Sequence, residues 1–167
     1  MSEAAALITE LRVRGWTLGV AESLTGGGVA AEIVTVPGAS AVFSGAVVAY
    51  ATPVKHTLLG VDADLLAEHG PVCAEVAVQM ADGVRRAVAV GGRAADVGIS
   101  TTGIAGPDSP DGQPVGTVHI GLATPLRSST RSFVFAGDRG AVRVQARDAA
   151  IALALEAITP APEPIRE

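Results

Sequence analysis

Apolar positions recur at helical spacing from residue 4 to residue 14 (AAALITELRVR) and stop at Gly15, which predicts an opening helix. TLGVA (17–21) has the length and composition of a short buried strand, and ESLTGGG (22–28) reads as a loop leading into a helix over about 26–35. Pro37-Gly38 marks a turn. FSGAVVAYA (43–51) is almost continuously apolar, the pattern of a strand covered on both faces, and is expected in the middle of a sheet. Thr52-Pro53 reads as an N-cap followed by proline at N1, which puts Lys55 at N3 of a helix closed by Gly60. Asp62 begins another short helix. A long amphipathic helix follows over 73–90 and ends at Gly91-Gly92. DVGIST (96–101) is a strand, GIAGPDSPDGQP (103–114) a long irregular loop, and VGTVHIGLAT (115–124) and TRSFVFA (130–136) are strands of alternating character. Asp138 caps a last helix reaching about Ile158, and the Pro-rich tail 159–167 is expected to be disordered.

Helices alternate with strands, and two strands are adjacent late in the chain. The pattern predicts an α/β fold, a single layered domain over residues 1–158 in which helices pack on a mixed β-sheet. With 167 residues, 49% of them hydrophobic but only 3% aromatic, the core should be built from small, closely packed side chains. The net charge of -5 and the scattered basic residues argue against nucleic acid as a partner. One cysteine cannot form an internal disulfide, and His56, His69 and His119 lie too far apart in sequence to suggest a metal site, so no metal or cofactor is expected. MSEAAALITELRVRGW lacks the basic head and apolar core of a signal peptide, and no run is long enough to span a membrane. The expectation is a cytoplasmic protein with no membrane contact.

Polar side chains are scarce enough that their placement carries information. A lysine in the first turn of a helix opposes the helix dipole, and beside an apolar strand it is desolvated as well. Both effects push Lys55 toward the neutral amine that a general base requires, although a lone helical lysine is more often a solvated one. Tyr50 either fills core space or offers its hydroxyl to a partner. A serine made nucleophilic by such a lysine is a known variant of triad chemistry. Two serines qualify: Ser40, which otherwise reads as a cap after the Pro37-Gly38 turn, and Ser23 in AESLTGGG (21–28). In that second stretch Ser23 or Thr25 serves equally well as a cap. The loop at Gly26 departs from the dinucleotide fingerprint GxGxxG, yet amides at a helix start can hold an anion or a carbonyl. Thr102 and Gly103 fall where a strand ends in a long loop, the usual place for a ligand in an open α/β sheet. Arg139 and Arg143 share one helix face near its start, a mildly unfavourable position that a bound phosphate would offset.

These segments together carry a resemblance. AESLTGG, PGAS with a tyrosine ten and a lysine fifteen residues after its serine, TGIAGP, PVGTV and GDR-AVR resemble the CinA C-terminal-domain family over about residues 5–157. Stand-alone members of that family are nicotinamide-nucleotide amidases. The resemblance implies hydrolysis of nicotinamide mononucleotide to nicotinate mononucleotide and ammonia by a serine nucleophile and a lysine base. On the matching positions Ser40 is the nucleophile, Lys55 the base and Tyr50 a supporting group. Thr102 lines the site and Arg139 meets the phosphate. The chain departs from the family pattern at Ala39, at Val42 and in the loop around Asp108 to Gln113. The expected partners are a pyridine mononucleotide and further copies of the same chain.

Two other readings compete. Short-chain dehydrogenases also use Ser, Tyr and Lys, but their Tyr and Lys are separated by three residues, and here four intervene with no glycine fingerprint. The second is a non-catalytic nucleotide-binding or competence-related accessory module, which ammonia release from the mononucleotide would distinguish.

Overall fold

The computed structural model describes residues 1–110 and 112–159. The expected disordered tail therefore lies, apart from Thr159, outside the described residues. The elements are α1 (Glu3–Arg14), β1 (Leu18–Glu22), α2 (Gly28–Val34), β2 (Phe43–Val48), α3 (Thr52–Leu59), α4 (Ala63–His69), α5 (Ala74–Ala87), β3 (Val97–Gly103), β4 (Thr117–Ala123), β5 (Ser128–Val134) and α6 (Arg139–Ile158). A single 3-10 turn, Ala39–Ala41, precedes β2. Side chains cap three helices as their residue types require: Ser2 accepts from Ala5 N, Asp62 from Asp64 N and Leu65 N, and Asp138 from Ala141 N. Gly15 and Gly60 close α1 and α3 in the left-handed conformation that glycine adopts without strain.

The strands form one mixed sheet in the order β2-β1-β3-β4-β5. β1 runs parallel to both neighbours, so Glu22 at its end lies beside Val48 and Thr101. β4 runs antiparallel to both β3 and β5. The carboxyl ends of the three parallel strands thus open on the same edge, the expected position for a ligand site.

β2 corrects one expectation: it is an edge strand, not a central one. Its apolar run comes from small residues that are only half covered, and Val48 is 48% exposed. The fully buried strand is β1, whose five residues are all covered. A run of Ala, Gly and Val has the same composition in either place, so hydropathy alone could not separate them.

Helices cover both faces. α1, α2 and α6 pack on one side with the larger core, including Leu7, Leu11, Ile33, Ile99, Ile120 and Ile151. α3, α4 and α5 cover the other, around Leu59, Val76, Met80 and Val84. α5 lies on the sheet at backbone distance. A Cβ on Gly98 would run into the Ala81 carbonyl and one on Gly121 into the Ala77 carbonyl, so only glycine fits under the helix at these points. Ser100, the cross-strand partner of Gly121, donates from Oγ to Ala77 O at 2.5 Å. The close approach rests on the small-residue composition.

Candidate functional site

Ser23 follows directly from β1, and its backbone N–H donates to Thr101 O at 3.0 Å. The chain then turns sharply: Gly26 N donates to Ser23 O and Gly28 N to Thr25 O, with Gly26 (φ 59) and Gly27 (φ 97) in the left-handed region. Glu22 holds this turn from below. Its fully buried carboxylate accepts from Gly27 N at 2.9 Å, Val29 N at 3.1 Å and Ala30 N at 2.8 Å. The start of α2 therefore already has its anion, and its amides are not free for a ligand as the sequence suggested. Glu22 itself went unread. Its signal was the lone acid ending an apolar strand just before a glycine run.

α3 brings Lys55 to the same place. Its N-cap is Ala51 and not Thr52, so Lys55 is the fourth residue of the helix instead of the third. The side chain is 1% exposed. Its Nζ reaches Ala49 O at 2.7 Å, Ser23 Oγ at 3.1 Å and Tyr50 O at 3.4 Å. Among the described residues no carboxylate lies in salt-bridge range of Nζ. Burial lowers its pKa from 10.5 to about 8. A neutral amine has two N–H donors and one lone pair. With two carbonyls taking the donors, the lone pair is left for the Ser23 hydroxyl.

The expected Ser40–Lys55 pair is accordingly corrected to Ser23–Lys55. Ser40 is exposed in the 3-10 turn that leads into β2, whereas Lys55 follows the far end of that strand. Six residues of extended chain separate the two ends by roughly 16–20 Å, with no fold-back of either flank. Ser23 reaches Lys55 because β1 and β2 are parallel and adjacent, so the segments leaving their carboxyl ends meet.

A cleft of about 460 Å³ opens above this pair, large enough for a mononucleotide. Its lining includes Ser23, Tyr50, Lys55, Pro71, Thr102, Gly103, Asp108 and Arg139. Thr102 donates from Oγ1 to Pro71 O at 2.6 Å, and Gln113 donates to Val72 O at 2.9 Å, tying the loop after β3 to the segment before α5. Arg139, at the start of α6, donates to the Tyr50 hydroxyl at 2.9 Å and to Gly106 O at 2.7 Å. Tyr50 thereby meets Lys55 through its backbone and Arg139 through its hydroxyl, which sets the amine and the guanidinium about one tyrosine length apart. The chain has a single lysine and a single tyrosine, and both are here.

Three groups expected to touch a ligand, the Thr25 side chain, Gly26 and the Arg143 guanidinium, do not line the cleft. Thr25 is buried, and its hydroxyl meets that of Thr101 at 2.8 Å. Gly26 forms the turn. Arg143 bonds to loop carbonyls, donating from Nε to Leu24 O and from Nη2 to Thr25 O, each at 3.0 Å.

Comparison with known proteins bears on the family and the fold. The family model of the CinA C-terminal domain matches residues 2–158. A CinA-like protein of Frankia casuarinae is 50% identical over 133 residues, covering 80% of this chain and 30% of its own. A CinA-like protein of Geobacter sulfurreducens is 47% identical over 133 residues, covering 79% and 31%. The chain thus spans about a third of the length of these curated relatives. Among solved structures, a competence-damaged protein (CinA) superfamily protein from Klebsiella pneumoniae superposes with a TM-score of 0.87 at 32% identity, covering 93% of this chain and 95% of that one. A competence/damage inducible protein from Agrobacterium tumefaciens gives 0.85 at 29% identity, with 93% of each chain covered. By sequence over nearly its whole length, and by fold, the chain belongs to the CinA C-terminal-domain family.

Proposed function

We propose that this protein is an amidohydrolase that deamidates a pyridine mononucleotide, converting nicotinamide mononucleotide to nicotinate mononucleotide and ammonia. The observation that carries the reading is the buried, partly neutral Lys55 amine on the Ser23 hydroxyl at the floor of the cleft. Neutral Lys55 takes the Ser23 proton as Oγ bonds to the carboxamide carbon, giving a tetrahedral intermediate. Its collapse breaks the C–N bond, and the Lys55 ammonium passes its proton to the departing nitrogen, which leaves as ammonia. Water then adds to the acyl-enzyme, again giving its proton to Lys55. The second collapse releases the carboxylic acid and returns a proton to Ser23. Arg139 supplies a cation for the phosphate at the mouth of the cleft, and Tyr50 orients it. The motif resemblance to nicotinamide-nucleotide amidases supports this choice of substrate.

Ammonia release from nicotinamide mononucleotide tests the reading. Ser23→Ala should lower kcat by on the order of 10³-fold or more, whereas Ser40→Ala should leave it close to wild type. Lys55→Ala should match Ser23→Ala, and the double variant should be little worse, because members of one catalytic unit are not additive. Mononucleotide binding without ammonia release would favour the accessory-module reading instead.

A further inference from the structure

We propose that Arg143 is a positioning residue, holding the backbone after Ser23 so that the Leu24 and Thr25 amides receive the negative charge of the tetrahedral intermediate. The inference rests on the serine–lysine reading above. In a trans peptide the C=O and N–H point in opposite directions, so fixing one fixes the other. Arg143 Nε holds Leu24 O at 3.0 Å, which sets the Thr25 N–H. Arg143 Nη2 holds Thr25 O at 3.0 Å and so sets the Gly26 N–H, which donates to Ser23 O at 3.1 Å. That last bond in turn orients the Leu24 N–H. Two hydrogen bonds from one guanidinium therefore fix three successive peptide planes.

Leu24 N and Thr25 N find no hydrogen-bond acceptor among the described residues, although both residues are buried. Unpartnered amides in buried residues are rare and call for an acceptor. Gly27, Val29 and Ala30 just downstream are by contrast all satisfied by Glu22. Both open donors directly follow the nucleophile in the turn, and Leu24 lines the cleft, where oxyanion-stabilising amides belong. A planar guanidinium suits this task because its donors reach two neighbouring carbonyls at once, whereas an ammonium acts as a point charge.

The test compares wild type with Arg143→Ala and Arg143→Lys on nicotinamide mononucleotide. In parallel, mass spectrometry follows labelling of Ser23 by a fluorophosphonate, whose adduct oxygen occupies the oxyanion position. Arg143→Ala should lose on the order of 10²-fold in kcat with little change in KM, as expected for a small misplacement of reacting groups. Labelling should slow in parallel, Arg143→Lys should fall between, and added guanidinium ion should restore part of the Arg143→Ala rate. The pH profile should keep its midpoint, since Lys55 is untouched. A rise in KM with unchanged kcat would make Arg143 a substrate contact and end the proposal, and labelling at the wild-type rate in both variants would end it too. Wild-type protein that is never labelled at Ser23 would remove the nucleophile reading itself, and the positioning role with it. Should Arg143→Ala fail to fold, the Arg143→Lys kcat and labelling rate decide alone.

Discussion

The proposed chemistry turns on one side chain, Lys55. It is 1% exposed, it has carbonyls and a hydroxyl as partners, and burial alone lowers its pKa to about 8. Because it is the only lysine, selective labelling of lysine with ¹³C yields one side-chain resonance, and its titration midpoint should fall near pH 8 instead of 10.5. The kcat/KM for amide hydrolysis should rise with pH to the same midpoint and then level off, as for a base that must be neutral in the free enzyme. Linkage requires a matching change in stability. The folded pKa lies below the unfolded value, so between about pH 8 and 10.5 the unfolded chain binds more protons than the native one. Stability should therefore increase through that window, and Lys55→Met should lack the increase. A midpoint near 10.5 would mean a charged, solvated lysine and would remove the base from the mechanism.

At the scale of elements, the strand–turn–helix unit from β1 to α2 places Ser23, the proposed nucleophile. Glu22 occupies the last position of a buried strand and spends its carboxylate on three backbone N–H groups of the following turn and helix. Gly26 and Gly27 allow the turn to fold tightly over it. Glu22→Gln keeps the size but replaces one acceptor oxygen with a donor facing backbone donors. It should destabilise the fold by about 2 kcal/mol, the scale of a lost hydrogen bond to a charged group. In urea unfolding this appears as a lower midpoint with an unchanged slope. Activity should fall as well, since Ser23 is adjacent. A midpoint within error of wild type would show that water or a neighbour replaces the carboxylate.

On the scale of the whole molecule, the position of α5 on the sheet determines the shape of the cleft. Thr102 in β3 reaches Pro71 O, and Gln113 reaches Val72 O, both just before α5 begins. The helix can lie that low because Gly98 and Gly121 leave room for the carbonyls of Ala81 and Ala77. Gly121→Ala places a methyl against the Ala77 carbonyl and the Ser100 hydroxyl, and the helix must lift. The expected loss is about 1–3 kcal/mol of stability, as for overpacking elsewhere, seen as a lower thermal midpoint. KM should rise with it as the wall of the cleft shifts. A variant as stable as wild type would show that α5 can move at little cost.

The order and type of elements and the helix caps at Asp62 and Asp138 were legible in the chain, because each rests on local chemistry, whereas the grouping of Lys55, Tyr50, Thr102 and Arg139 was implied only by the family resemblance. Periodicity follows from the geometry of a single element, and capping from residues a few positions apart. A lysine in a nearly lysine-free chain is likewise conspicuous without coordinates. Which serine it meets was not legible. Ser40 is fifteen residues from Lys55 and Ser23 thirty-two, and only the parallel pairing of β1 with β2 brings the farther one within 3.1 Å. For the same reason β2 was misplaced at the centre and Arg143 assigned to the substrate: strand order and the direction of a side chain depend on neighbours distant in sequence. The sequence determined the local elements and the inventory of reactive groups. The tertiary structure decided which of those groups touch, because contact in a sheet is set by pairing across strands and not by distance along the chain.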